Sequence, residues 1–232
     1  MPRQPGNPRP ATRSIPLICL LCAVAGSVDA SAYLLSGRVF VANMTGNTVL
    51  FAISLLQRNP GEAALRGGLV AAFLAGVIIA RLLARIAGER PTKMQRIAIL
   101  GIESAVLLLL AWKNTGAHAG LLLLLLACIL GIQNGAFRYI GGFHLNTTFI
   151  TGDLELLGEA IIDSRNSDSQ NSSAKVSAFV LSWVGYAGGA SLGALGAVEF
   201  PHHGFLAALM LALISLITVI LMPGRSKQRR EM

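Results

Sequence analysis

Charge is scarce in this chain. Asp, Glu, Lys and Arg make up 13% of its 232 residues, against 53% hydrophobic side chains, and a soluble domain carries about one charged residue in four. Aromatics are also few, at 6%, and no basic face with interleaved aromatics exists, which argues against nucleic-acid binding despite a net charge of +8. Cys19, Cys22 and Cys128 all lie inside apolar runs. Cys19-x-x-Cys22 has redox spacing but no neighbouring cation to activate a thiol, so the three read as small packing residues. His118, His144, His202 and His203 are scattered near the ends of apolar stretches and form no metal set. With no phosphate-binding loop, nucleophile elbow or zinc signature either, the sequence calls for no metal or cofactor and argues against a known membrane enzyme class.

What the chain has is long apolar runs and a mean hydropathy of +0.63. A membrane span needs about 20 mostly apolar residues. The stretches Ile15–Ser36, Leu65–Ala84, Ile97–Trp112, Ala119–Ile140, Val176–Val198 and Phe205–Met222 meet that need. The fold class is therefore an all-α polytopic membrane protein. Two further stretches, Val39–Leu56 and Gly142–Ile162, are long enough but carry polar signatures.

Those signatures repeat. Gly26-Ser27-Val28-Asp29-Ala30 is followed by Asn43-Met44-Thr45-Gly46-Asn47, and Gly131-Ile132-Gln133-Asn134-Gly135 is followed by Phe149-Ile150-Thr151-Gly152-Asp153. The offset is 105 at the first element (26 to 131) and 106 at the second (45 to 151). Polar groups are costly in apolar segments, and a cost carried twice at one spacing points to a duplicated site.

Basic residues sit at span ends: Arg3, Arg9 and Arg13, then Arg81, Arg85, Arg90, Lys93 and Arg96, then Arg225, Lys227, Arg229 and Arg230. Eight full spans would export the basic 85–96 loop, against the positive-inside tendency. Six spans, with Val39–Leu56 and Gly142–Ile162 broken or re-entrant, keep both termini and that loop in the cytoplasm and put the 113–118 and 199–203 links outside. The expected organisation is a disordered basic tail over 1–14, membrane repeat 1 over 15–112, membrane repeat 2 over 113–222 and a basic tail over 223–232. The amino terminus resembles a secretory signal, but cleavage near Ala30 would sever the first polar element, so Ile15–Ser36 is read as a retained helix. Three spans per repeat invert the second copy relative to the first, an architecture common among secondary transporters. Gly68, Ala72, Gly76, Ala80 and Ala84, and likewise Gly185, Gly189, Gly193 and Ala197, recur every four residues and mark helix-packing faces.

Within this frame, Asp29 lies in the outer half of helix 1 and Glu103 in the third span; each is a candidate proton carrier. Thr45-Gly46-Asn47 and Thr151-Gly152-Asp153 read as break points that start half-helices, whose N–H groups attract anions or acceptors; a capped kink explains them equally. Arg165–Lys175 reads as a flexible polar loop. The sequons at Asn43, Asn146 and Asn171 are discounted, the first two for lying in or beside apolar segments and the third for its cytoplasmic loop.

The string Phe40-Val41-Ala42-Asn43-Met44-Thr45-Gly46-Asn47, with Val28-Asp29-Ala30 upstream and Gly131-x-Gln133-Asn134, Arg138 and Thr147-Thr148-x-x-Thr151-Gly152 downstream, resembles the YoaK family of uncharacterised bacterial integral membrane proteins. The resemblance covers nearly the whole chain beyond the amino tail and implies a bacterial inner-membrane location. One departure is Asp153, where the family pattern has a small neutral residue; Glu155 follows two residues later.

The sequence is thus read as a small-solute transporter or exporter with a polar site where the repeats meet. Asp29, Asn43, Thr45, Gly46 and Asn47 line one half; Gln133, Asn134, Thr148, Thr151, Gly152 and Asp153 line the other; Asp29 or Glu103 couples transport to protons. Its partners are membrane lipids and the solute, with homo-oligomerisation left open. The alternatives are a membrane-embedded enzyme acting on a lipid or isoprenoid, with Asp29 or Glu103 as acid–base group, and a non-catalytic scaffold whose small-residue faces serve partner helices.

Overall fold

A computed structural model describes residues 10–87, 91–112, 119–140, 143–144, 146–148, 150–166 and 170–222. The expected 113–118 link and 223–232 tail lie outside these residues, as do positions 1–9 of the expected amino tail. Among the described residues there are eight α-helices: α1 (Pro10–Leu35), α2 (Met44–Leu56), α3 (Pro60–Ala87), α4 (Lys93–Trp112), α5 (Ala119–Phe137), α6 (Ile150–Asn166), α7 (Gln170–Glu199) and α8 (Leu206–Leu221). A 3-10 turn, Pro201–His203, precedes α8, and a two-residue antiparallel pairing, Tyr139–Ile140 with Phe143–His144, follows α5.

Six of these helices are long and apolar enough to cross a membrane: those over Ser14–Leu35, Pro60–Ile86, Lys93–Trp112, Ala119–Phe137, Lys175–Glu199 and Pro201–Leu221. The protein is an all-α polytopic membrane protein, as its composition requires. At 13 residues, α2 reaches only about 20 Å, short of the roughly 30 Å hydrocarbon core. The helices overrun the apolar windows at several ends. α1 takes in Pro10–Ser14, with Pro10 at a first position that needs no N–H donor. α6 and α7 absorb most of the polar stretch 165–175, leaving only 167–169 outside the described residues. Ser, Asn and Gln there signal a watery setting, which a helix tolerates as well as a coil does.

Capping fixes the helix starts. Asn43 is the N-cap of α2 and accepts the Gly46 N–H at 3.1 Å. Asn59 accepts the Glu62 N–H at 3.2 Å at the head of α3. Thr92 and Gln95 form a reciprocal capping box before α4, with bonds of 2.7 and 3.2 Å. The expected break at Thr45-Gly46 therefore moves upstream: residues 36–43 are non-helical, and Thr45 and Gly46 sit in the first turn of α2. Thr151 and Gly152 likewise lie within α6 rather than at an interruption. Gly46 answers a packing need instead, since a Cβ there would meet the Phe40 ring at 2.8 Å.

The principal helix pairs are α1 with α7 and α3 with α5. Gly185, Gly189 and Gly193 meet the backbone of Cys19, Ala23 and Ser27 in the same order, so α1 and α7 run parallel. Gly68 meets Leu124, Gly76 meets Cys128, and Gly135 meets Ala80, again in ascending order, in the matching parallel pair of α3 and α5. The two small-residue faces thus pack against the first helix of the opposite half rather than against each other. The remaining pairs also exchange between halves: α2·α3 with α6·α7, and α1·α8 with α4·α5. α4 and α8 pair with each other and run antiparallel. Lys93 Nζ donates to the Ile220 and Met222 carbonyls at 2.7 and 2.6 Å at one end, and His203 Nδ1 lies 3.1 Å from the Ala111 carbonyl oxygen at the other. The innermost span is α1, with 78% of its apolar window buried, whereas α3 has 11% and turns most of its surface outward.

Candidate functional site

In the first half, the polar residues gather around the non-helical segment that follows α1. Asp29 is 2% exposed. Its Oδ1 accepts the N–H groups of Val41 and Ala42, both at 2.7 Å, and its Oδ2 accepts the Tyr186 hydroxyl at 2.6 Å. Asn47, fully buried, brackets Phe40: its Oδ1 accepts the Phe40 N–H at 2.9 Å and its Nδ2 donates to the Phe40 carbonyl. Two side chains thus satisfy backbone groups that no helix or sheet could satisfy in an apolar interior. Asn43 caps α2, Thr45 is exposed, and Gly46 sits under Phe40, whose ring stacks on Tyr33 with centroids 5.2 Å apart.

The second half repeats two of these bonds at the matching positions. Asn134, 105 residues after Asp29, accepts the Thr147 N–H at 3.0 Å, and Thr147 stands 106 residues after Val41. Asp153, 106 residues after Asn47, accepts the Asn146 N–H at 3.3 Å through Oδ1, and Asn146 stands 106 residues after Phe40. Each half carries one acid, on the long helix in the first and on the short helix in the second.

The halves differ in what remains unsatisfied. Thr147 and Thr148 replace Val41 and Ala42, and both are buried with hydroxyls that have no hydrogen-bond partner. Asp153 is 2% exposed, and its Oδ2 has none either. Gly152 lies beside it in α6, half-buried; the side chain of Thr151 falls outside the described residues. These three polar atoms at one loop–helix junction are uncompensated in an apolar setting, where each unmade bond is costly.

Glu103 and Gln133 form a third group. Both are fully buried. Gln133, its amide turned to face the acid, donates to the Glu103 carboxylate, at 3.2 Å to Oε1. Neither Arg81 nor Arg138 supplies Glu103 with an ion pair. α1 and α5 do not form one of the principal helix pairs, and neither do α2 and α6. By their hydrogen bonds the candidate residues fall in three groups, around Asp29 and Asn47, around Asn134 and Asp153, and at Glu103 with Gln133. Among the described residues, no three His, Cys, Asp or Glu side chains are placed to hold a metal ion.

Sequence reasoning missed two residues. Tyr186 completes Asp29 from α7, with no sequence signal beyond a lone phenol among small residues. Arg66, 5% exposed, pairs with Glu62 at 2.8 Å and donates to the Leu50 carbonyl at 3.2 Å and to Ser54 Oγ, tying α2 to α3. Its signal was the Glu62 to Arg66 spacing of an i,i+4 pair.

The fold and its buried polar groups define a multi-pass α-helical membrane protein. The family model described as "Protein of unknown function (DUF1275)" matches residues 17–221, and the chain belongs to that family. It is 33% identical over 150 residues to "UPF0700 transmembrane protein YoaK" of Bacillus subtilis (strain 168), a match covering 62% of this chain and 66% of that protein. No solved structure matches the chain.

Proposed function

We propose that the protein is a secondary transporter or exporter of a small polar solute, with two inverted halves and a solute contact at the second interrupted segment. The observation that carries this reading is the set of buried, unpartnered atoms there: Thr147 Oγ1, Thr148 Oγ1 and Asp153 Oδ2. A solute hydroxyl or amine is what three such atoms lack; in the first half the Ser27 and Ser36 hydroxyls are also unpartnered, but the counterpart positions Val41, Ala42 and Asn47 carry no such cluster. In this division of labour, Asp29, Asn43 and Asn47 hold the first segment in place. Thr148, Thr151, Gly152 and Asp153 frame the solute, and Glu103 with Gln133 relays protons between α4 and α5.

Helix direction supports the inversion. Were α2 and α6 both full spans, α4 and α8 would run the same way; their antiparallel crossing fits six spans with two segments that enter and return. Interrupted segments within inverted repeats are the architecture of many secondary transporters. The basic flanks favour both termini on the cytoplasmic side of a bacterial inner membrane.

The test is flux in proteoliposomes across a panel of small polar metabolites. Substrate-dependent flux that falls at least tenfold in Asp153→Asn and Thr148→Val is the expected result. No flux for any solute, with both variants equal to wild type, overturns the reading.

A further inference from the structure

A cavity of about 260 Å³ opens between α3, α4 and α5, away from the candidate site residues. One end is polar, with Arg81, Gln95, Arg96 and Tyr139, and among the described residues no acid lines it. The rest is apolar, running along Ile99, Ile102 and Ile132. From Arg96 to Ile102 is six residues of helix, so the apolar part extends about 9 Å from the cationic mouth. That is a little over half the depth of one hydrocarbon leaflet. The cavity is open sideways: Leu83 and Ile102 on its wall are 47% and 55% exposed, on a surface that faces lipid when these helices span.

The polar end is built. Arg96 stacks over the Phe137 ring at 5.0 Å and its Nη2 reaches the Tyr139 carbonyl at 3.5 Å, which fixes the plane of the guanidinium. Arg81 is exposed one helix away. Small residues keep the space open: Ala80, Ala84, Gly135 and Ala136 line it.

The equivalent place in the other half is filled. Phe205 is fully buried, Ser31 donates to the Gly204 carbonyl at 2.9 Å, and Gly204 is packed against Leu35 and Ala197. Among the described residues, no such plug stands between α3, α4 and α5, where Pro91 lines the mouth and two arginines stand at the polar end.

We infer that the α3–α4–α5 groove binds one anionic phospholipid. Its phosphodiester is held between Arg81 and Arg96, and an acyl chain lies along Ile99, Ile102 and Ile132. Guanidinium groups suit a phosphodiester because they donate paired, planar hydrogen bonds, and basic pockets between spans near the membrane surface suit anionic headgroups. This site is independent of the transport reading.

The experiment is native mass spectrometry of the delipidated full-length protein, titrated with dioleoyl phosphatidylglycerol and, separately, dioleoyl phosphatidylcholine. One phosphatidylglycerol should bind at least tenfold more tightly than phosphatidylcholine. Arg81→Gln should weaken phosphatidylglycerol at least fivefold, and Ile102→Trp, which fills the groove with both arginines intact, should weaken it as much. Arg85→Gln, exposed on α3 outside the groove, should bind as wild type does. Both lipids binding equally, Arg85→Gln costing as much as Arg81→Gln, or Ile102→Trp leaving affinity unchanged would each overturn the site. So would full displacement of the lipid by millimolar glycerol phosphate, which would assign the arginines to a soluble anion.

Discussion

Tyr186 donates its hydroxyl to Asp29 Oδ2 at 2.6 Å, joining side chains 157 residues apart. With the Val41 and Ala42 N–H groups on Oδ1, the carboxylate is bonded on both oxygens. Asp29→Ala strands two backbone donors and a phenol, each costing about 1–3 kcal/mol when buried, and should lower the melting temperature sharply. Asp29→Asn keeps an acceptor for the backbone and lets Tyr186 accept in turn, at about 1 kcal/mol. Tyr186→Phe should fall between them. Thermal unfolding in detergent checks the order, and equal melting for Asp29→Ala and Asp29→Asn would contradict it.

Asn47 and Asp153 hold the same place in the two halves but are not interchangeable. Asn47→Asp loses the Nδ2 bond to the Phe40 carbonyl and sets a carboxylate against that oxygen, a loss of about 1–3 kcal/mol. Asp153→Asn retains the acceptor for Asn146 and adds a donor, so its stability should stay within about 1 kcal/mol of wild type. Its flux in proteoliposomes should nonetheless fall. A variant that is stable and inactive would separate solute contact from folding; one as active as wild type would return Asp153 to a structural role.

Gly189 and Gly188 are neighbours with opposite tolerances. A Cβ on Gly189 would run into the Ala23 backbone, whereas one on Gly188 meets nothing within 4 Å. Gly189→Ala should lower the melting temperature or prevent folding, and Gly188→Ala should change it little. Gly76 and Gly101 form the same contrast in the first half, Gly76 against the Cys128 carbonyl and Gly101 in open space. Indistinguishable melting within either pair would mean that the parallel helix seams are looser than described.

Among the described residues, the Gln133 amide is the hydrogen-bond partner of the Glu103 carboxylate. If it relays protons, Glu103→Gln should abolish the response of solute flux to an imposed proton gradient while leaving solute-driven exchange in place. Flux that follows the gradient unchanged in this variant would remove Glu103 from the coupling path.

Orientation is open to labelling on a background lacking Cys19, Cys22 and Cys128. An impermeant thiol reagent added to intact cells should label Phe200→Cys, on the exposed turn before α8, and should spare Thr92→Cys at the head of α4. Labelling of position 92 from outside would defeat the inverted arrangement.

The spans were legible because unbroken apolar runs leave few other outcomes, and the polar elements were legible because buried polar groups stand out against them. The break was misplaced by a few residues. Thr45-Gly46-Asn47 carries the composition of a breaker, yet the cap is Asn43 and the glycine is set by the Phe40 ring, a contact that no local pattern reveals. The polar run from Arg165 to Lys175 suggested a loop because composition reports the solvent rather than the backbone. The glycine faces announced close packing but not the partner, since whether α7 meets α3 or α1 depends on the whole topology. Tyr186 was invisible for the same reason.

The pairing of α1 with α7 also sets a timetable. Leu35 and Gln170 are 135 residues apart (35 to 170), and at about 5–20 residues per second the ribosome needs on the order of ten seconds to cover them. Through that interval α1 waits in the bilayer with Asp29 lacking its phenol and its glycine side uncovered. Residues 36–43, made immediately afterwards, can already bring the Val41 and Ala42 N–H groups to the carboxylate. A nascent chain therefore neutralises its most expensive group early, from its own neighbourhood, and closes the seam late. A chain that stops short of α7 leaves Gly26 and Ser27 without the Tyr186 and Gly193 backbone that covers them in the finished fold.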